Sequence, residues 1–181
     1  MVPARPGTPI GRESRLKPDQ VWVRIPPRAL EIRPATSADV RAIAAVHVAS
    51  WQDAYAGIVP EDEIAKRDVE TRAEQWKELV GSAIVAVADD GGVVGFAAAE
   101  TLTGEIRAIY IVPQHTRRGI GTKLLHAAHE RLRRAGRTEA HLWVLAANEA
   151  ARAFYTAHGY EADGTTELIY GQLTFRLSVA L

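Results

Sequence analysis

The amino-acid sequence predicts a mixed α/β fold, built from one mixed sheet of about seven strands and about four helices. Seven short segments show the alternating or continuous apolar pattern of strands, and four longer segments repeat apolar residues at helical spacing. Some neighbouring strands form hairpins, whereas helices separate others. Hairpins combined with strand–helix–strand units imply a mixed sheet with helices on both faces.

Length and composition are those of an ordinary globular domain. The 181 residues are 47% hydrophobic and 24% charged with zero formal net charge, so neither nucleic acid nor an anionic membrane is expected as a partner. No apolar run reaches the roughly 20 residues that span a bilayer, and no secretory signal is recognisable, which makes the cytoplasm the expected location. The absence of cysteine excludes disulfides, thiolate zinc sites and a cysteine nucleophile.

Residues 1–28 differ in composition from the rest of the chain. They contain six of the nine prolines, and their six Arg/Lys residues outnumber their two Asp/Glu residues. Prolines at this density oppose a continuous helix, so we expect a flexible or extended tail here. The folded domain is then expected over residues 29–181.

The first half of the domain should contain three strands and two helices. Residues 29–34 (ALEIRP) have a strand pattern, and residues 40–55 follow N-capping hydroxyls with apolar side chains at helical spacing. Residues 61–80 begin with acids and form a second amphipathic helix. Residues 83–100 form a hairpin that turns at residues 89–92.

The second half should alternate strands and helices before a closing hairpin. Gly136 and Gly159 end its two helices, and Gly171 lies in the last turn. The elements are a strand over 105–113, a helix over 122–136, a buried strand over 141–147, a helix over 149–159 and closing strands over about 164–170 and 172–179.

The segment IYIVPQHTRRGIGTKLL (109–125) has the composition of an anion site at the start of a helix. Gly119 and Gly121 stand between a strand and a helix, where the first backbone N–H groups have no partner inside the helix. Glycines allow an anion to approach these groups closely, and Arg117 and Arg118 add positive potential. The segment therefore predicts a phosphate or pyrophosphate site, with an ordinary tight connection as the alternative.

Two common nucleotide-binding motifs do not fit this segment. A dinucleotide-binding fingerprint requires a third small residue where Leu124 stands, and a P-loop requires its lysine further from the glycines than Lys123. His126 and His129 have neither the spacing nor the third ligand of a zinc site, so no metal is expected.

Two motifs together resemble the GNAT superfamily of acetyl-CoA-dependent N-acetyltransferases. TRRGIG (116–121) is similar to the family's pyrophosphate motif, Gln/Arg-x-x-Gly-x-Gly/Ala, except that Thr116 stands at its first position. Downstream, Asn148 and the following AARAFYTAHGY resemble the family's Asn-x-x-Ala-x-x-Phe/Leu-Tyr motif. The resemblance covers about residues 29–180 and implies the GNAT fold, in which the central twisted sheet is mixed and mostly antiparallel.

The resemblance also implies where acetyl-CoA binds. Two central strands of the family part, and pantetheine binds the exposed backbone of the first, here around Ile109 and Ile111. The N–H of Ile109 would then stabilise the oxyanion. The remaining residues that match cofactor-binding positions are Arg117, Arg118, Gly119, Gly121, Thr122 and Asn148.

Four side chains are candidates for the chemistry and for the acceptor pocket. Tyr155 matches the family tyrosine that protonates the departing sulfur, with a core aromatic as the alternative. Glu105 matches the glutamate base of one branch of the family, with a solvated carboxylate or a water relay as alternatives. Trp51 and Tyr55 share a helical face and either form an aromatic wall for the acceptor or pack in the core.

The sequence thus predicts an enzyme that transfers the acetyl group of acetyl-CoA directly to a primary amine of a small molecule or protein. A non-catalytic acyl-CoA-binding module for sensing or assembly is the alternative, and Tyr155 favours the enzyme. A homodimer is compatible with the resemblance, because dimerisation is common in the family.

Overall fold

The structure is a computed structural model that describes residues 30–181, so the predicted tail over residues 1–28 lies outside the described residues. The strands are β1 (Glu31–Pro34), β2 (Ala83–Val87), β3 (Val93–Glu100), β4 (Glu105–Ile111), β5 (Glu139–Leu145), β6 (Glu161–Ile169) and β7 (Gln172–Ala180). They form one sheet in the order β1-β2-β3-β4-β5-β7-β6. Within the described residues, β4 and β5 are the one parallel pair. The predicted mixed, mostly antiparallel sheet is confirmed.

The helices are α1 (Val40–Tyr55), α2 (Glu61–Ala65), α3 (Val69–Leu79), α4 (Ile120–Arg134) and α5 (Glu149–Ala157). The single helix predicted over residues 61–80 is divided in the structure. Asp68 has an extended backbone conformation and its carboxylate accepts a hydrogen bond of 2.8 Å from the Thr71 N–H. This carboxylate caps a new helix, because Asp satisfies a first-turn N–H that has no partner inside the helix.

Different helices cover the two faces of the sheet. Consecutive residues of β2 alternate between them: Ile84 belongs to the cluster under α4, and Val85 belongs to the cluster under α1 and α3. β2 and β3 are therefore buried along almost their whole length. This burial on both faces explains why their sequences are continuously apolar.

Two histidines packed between these layers should make stability depend on pH. Burial, foremost, and the positive charges of Arg72 and Arg67 lower the pKa of His47 from 6.5 to about 3. Burial also lowers the pKa of His129, to about 4. Between these values and 6.5 the unfolded chain binds protons that the folded chain does not, so stability is lost as the pH falls through this window.

We expect the free energy of unfolding to fall between pH 7 and pH 5, by up to about 1.4 kcal/mol per pH unit for each histidine. Urea unfolding at several pH values measures this slope. His47→Gln and His129→Gln should each flatten it, because glutamine does not titrate. Equal slopes in the wild type and both variants would contradict the assignment.

Candidate active site

The site begins where the two parallel strands separate. β4 and β5 share one register pair, Glu105 with His141, and part beyond it. The separation starts at a bulge, since Ile106 and Ala108 pair with consecutive residues of β3 and Arg107 is left over. A bulge bends its strand, so β4 turns away from β5 at this point. The predicted gap between two central strands is present in the fold.

A cavity of about 280 Å³ occupies this gap. Its walls come from α1, β4, β5 and α5, which places side chains from distant parts of the chain around one space. The lining residues that matter for the chemistry are Ser50, Asp53, Tyr55, Ile109, Tyr110, Ile111, Asn148 and Tyr155. Ile109 and Ile111, which were predicted to present backbone groups to pantetheine, both line this cavity.

The glycine loop forms an open, positively charged start to α4. Gly119 is the N-cap residue with φ 75°, a left-handed conformation, and a Cβ added there would meet nothing within 4 Å. Arg117 is also left-handed, with φ 56°. Arg117 and Arg118 are exposed, and neither makes an ion pair within residues 30–181. Free N–H groups, a missing side chain and two free guanidinium groups are what an anion needs here.

Gly121 and Thr122 also make contacts within the protein that the sequence did not predict. Gly121 lies inside α4, and a Cβ added there would be 3.3 Å from Ile111 and 3.4 Å from Phe154. Its small size therefore lets α4 pack closely on β4 and α5. The Thr122 hydroxyl is 3.1 Å from Nε2 of His158, which connects the loop to the end of α5.

α5 brings Asn148 and Tyr155 to the gap. The Asn148 side chain accepts a hydrogen bond from the Ala151 N–H at 3.1 Å, so it caps the start of α5. Tyr155 lines the cavity, whereas Phe154 packs between Gly121 and His158. Burial, foremost, and the neighbouring Tyr55 raise the pKa of Tyr155 well above its ordinary value of 10.0. The phenol therefore remains protonated at any physiological pH.

The two carboxylates near the gap have different positions. Glu105 stands at the paired end of β4 and β5, its carboxylate lies 3.6 Å from the Arg107 guanidinium, and it is outside the set of lining residues. Asp53, on α1, is exposed and belongs to the lining.

The two aromatic candidates for the acceptor wall are in contact, with ring centroids 4.8 Å apart, but they occupy different positions relative to the cavity. Tyr55 lines the cavity, whereas Trp51 is 5% exposed and packs with Val59 and Leu145. The Arg67 guanidinium lies 3.8 Å from the centre of the Trp51 ring and covers it. Trp51 thus occupies the core position that the sequence left open as the alternative.

Ser50 and Tyr110 are among the lining residues that the sequence did not predict. Tyr110 stacks on His47 with ring centroids 4.9 Å apart, and burial raises its pKa above the ordinary value. The alternation of β4 could have indicated it, since Tyr110 points to the face opposite Ile109 and Ile111. A helical serine carries no comparable signal.

Comparison with known proteins identifies the family. Residues 45–160 match the model of the acetyltransferase (GNAT) family. The uncharacterized N-acetyltransferase YuaI of Bacillus subtilis (strain 168) is 32% identical over 138 residues, which are 72% of this chain and 79% of that protein. The chain belongs to the acetyltransferase (GNAT) family. The identification made from the two sequence motifs is therefore confirmed.

Two further N-acetyltransferases are similar to this chain. Spermidine N(1)-acetyltransferase of Thermoplasma acidophilum is 26% identical over 147 residues, covering 76% of this chain and 91% of that protein. The crystal structure of PaiA N-acetyltransferase from the same organism, in complex with coenzyme A, superposes with a TM-score of 0.74 at 24% identity. The superposition covers 85% of this chain and 100% of the PaiA chain, and it confirms the fold.

As a GNAT enzyme the chain uses acetyl-CoA, and its own residues fit that molecule. The open start of α4 with its free arginines fits a pyrophosphate, and the parted edge of β4 leaves backbone groups for an extended amide chain. Within residues 30–181 no group of three or more His, Asp or Glu side chains is arranged to hold a metal ion. No helix among these residues is long and apolar enough to cross a membrane.

Proposed function

We propose that this chain transfers the acetyl group of acetyl-CoA directly to a primary amine bound on the α1 side of the gap. A bond forms between the amine nitrogen and the acetyl carbonyl carbon while the carbon–sulfur bond breaks. The amine loses a proton to a base, and the sulfur gains one from the Tyr155 phenol. The observation that carries the proposal is that Tyr155 shares one cavity with the parted edge of β4.

The protein's contribution to this step is positioning and proton transfer. The Ile109 N–H stabilises the negative charge that develops on the carbonyl oxygen, and the unpaired edge of β4 supports this role. Arg117, Arg118, Gly119 and the first N–H groups of α4, including those of Gly121 and Thr122, hold the pyrophosphate. The Asn148 side chain adds a contact to the cofactor beside its capping hydrogen bond.

We assign the base to Glu105, acting through water, because Glu105 stands where β4 and β5 begin to part and its carboxylate lies 3.6 Å from the guanidinium of Arg107, which lines the cavity. Asp53 serves instead to attract the ammonium form of the substrate. Glu105→Gln should lower kcat/KM about 100-fold at pH 7 and shift the acidic limb of its pH profile. Asp53→Asn is the comparison variant, in which we expect a higher KM for the amine and an unchanged profile. If instead Asp53→Asn shows the lower kcat/KM and the shifted profile, and Glu105→Gln shows only the higher KM, the base is Asp53.

The acceptor is a primary amine, and Tyr55 contributes one wall of its site. The experiment that tests the function is release of CoA thiol with a panel of amines: spermidine, kanamycin, L-lysine and a lysine-containing peptide. Turnover with at least one of these is expected, and spermidine leads the panel because a relative is a spermidine acetyltransferase. CoA binding without turnover of any amine would favour the non-catalytic acyl-CoA module.

The proposal also includes a homodimer in the cytoplasm. β6 is an edge strand with eight of its nine residues exposed, and Leu168 on it is 72% exposed. An apolar side chain on an open sheet edge supports association with a second copy. Sedimentation velocity tests this part, and a monomer at assay concentration would remove it. The cytoplasm is proposed on the composition described above.

A further inference from the structure

The buried hydroxyl of Ser50 is the feature of the cavity that the chemistry above leaves unused. Ser50 lies in α1, is 5% exposed and belongs to the residues that line the gap. Its hydroxyl oxygen is inaccessible to solvent and has no hydrogen-bond partner among residues 30–181. Buried polar groups are nearly always paired in folded proteins, so an unpaired one requires an explanation.

The position of Ser50 indicates what its partner is. The neighbouring positions on α1 face the sheet at β4, where His47 stacks on Tyr110. This is the face opposite the cluster that contains Ile109, Ile111 and α4. Ser50 therefore lies across the sheet from the helix whose start carries the glycine loop, on the α1 side, where the amine is proposed to bind.

A second polar group on the same helix gives the partner its charge. Asp53 follows Ser50 by three residues, lines the same cavity and is exposed, so it stands at the mouth while Ser50 stands inside. A carboxylate at the mouth and a hydroxyl inside suit a group that enters as a cation and carries several N–H donors. An alkylammonium or alkylamine has this chemistry.

We propose that the Ser50 side chain, whose hydroxyl is closed to solvent in the free protein, rotates toward the cavity when the amine enters, so that the hydroxyl accepts a hydrogen bond from the nitrogen of the acceptor amine and helps to orient it for attack. This inference rests on the proposed function and adds a substrate-binding residue on α1. It explains the unpaired hydroxyl, because the partner is the substrate and is absent until the amine binds. Ser50 thus reduces stability in the free protein and improves recognition in the complex.

The test is Ser50→Ala, which should change stability and amine binding in opposite directions. The melting temperature of the free protein should rise, because the substitution removes a buried polar group that lacks a partner. The KM for the amine should rise about tenfold, the loss expected for one hydrogen bond of about 1.4 kcal/mol. The Kd for CoA, measured by calorimetry, should not change. The acceptor is spermidine, or the fastest amine of the panel if spermidine is not turned over.

Ser82→Ala is the matched control, because the Ser82 hydroxyl donates to the Leu79 carbonyl at 2.7 Å and lies away from the cavity. It should lower the melting temperature and leave the KM unchanged. An unchanged KM in Ser50→Ala, with the wild type active, overturns the inference and leaves the proposed function intact. A wild type that acetylates no amine overturns both.

Discussion

Gly119→Glu is expected to abolish measurable CoA binding while leaving the protein folded. Gly119 is left-handed, with φ 75°, and the space where its Cβ would point is open. The Cβ of a larger side chain therefore meets no atom of the protein, and the left-handed backbone costs about 1–2 kcal/mol of strain. The glutamate places its negative charge at the start of α4, where the pyrophosphate is proposed to bind. Two like unit charges about 4 Å apart near a surface repel by roughly 4 kcal/mol, close to a thousandfold in Kd.

The charge is separated from the strain by a matched substitution. Gly119→Gln has nearly the same size and the same backbone strain as Gly119→Glu, so a difference between the two variants in CoA affinity comes from the charge. In isothermal titration with CoA, the glutamine variant should bind much more tightly than the glutamate variant, and the difference should shrink as salt is added. Equal affinities of the two variants would show that no anion binds next to Gly119.

The order and type of the elements could be predicted from the sequence because hydrophobic periodicity is local. The helix over residues 40–55 and the hairpin over 83–100 are examples, and both depend on burial patterns within a few residues. The division of residues 61–80 was missed because the cap at Asp68 competes with a helical pattern that continues on both sides. A capping carboxylate and an early-turn acid look alike in a sequence.

The candidate site was predictable to the extent that motifs carry backbone chemistry. The positions of Gly119 and Asn148 at the starts of α4 and α5 could be predicted, because the residue types found at helix starts are local features. Trp51 could not be distinguished from Tyr55, since four residues of spacing place both on one face of α1. Tertiary packing distinguishes them, because Trp51 is buried against Val59 and Leu145 and is covered by Arg67, a contact that joins α1 to the α2–α3 connection. Ser50 could not be predicted either, because a serine within a helical pattern carries no local signal that it lines a cavity.

Tyr155→Phe is expected to lower kcat at least about 100-fold and to leave the Kd for CoA unchanged. The substitution removes one hydroxyl from a ring that keeps its packing, so binding surfaces stay in place. It also removes the proton proposed for the departing sulfur. Because burial raises the pKa of Tyr155 above 10.0, wild-type kcat should show no alkaline loss from this group up to about pH 10. Stopped-flow measurement of thiol release at pH values up to about 10 tests both expectations for kcat.

Tyr160→Phe makes the same chemical change in the neighbouring ring, 5.5 Å from Tyr155 between centroids. The Tyr160 hydroxyl is 2.8 Å from Nε2 of His129 and lies outside the cavity lining, so its loss should lower stability and spare kcat. If both variants lose turnover equally, the effect belongs to the packing of α5 rather than to proton donation. If only Tyr155→Phe loses turnover, Tyr155 is the proton donor, because the two rings share one aromatic cluster and only Tyr155 reaches the gap.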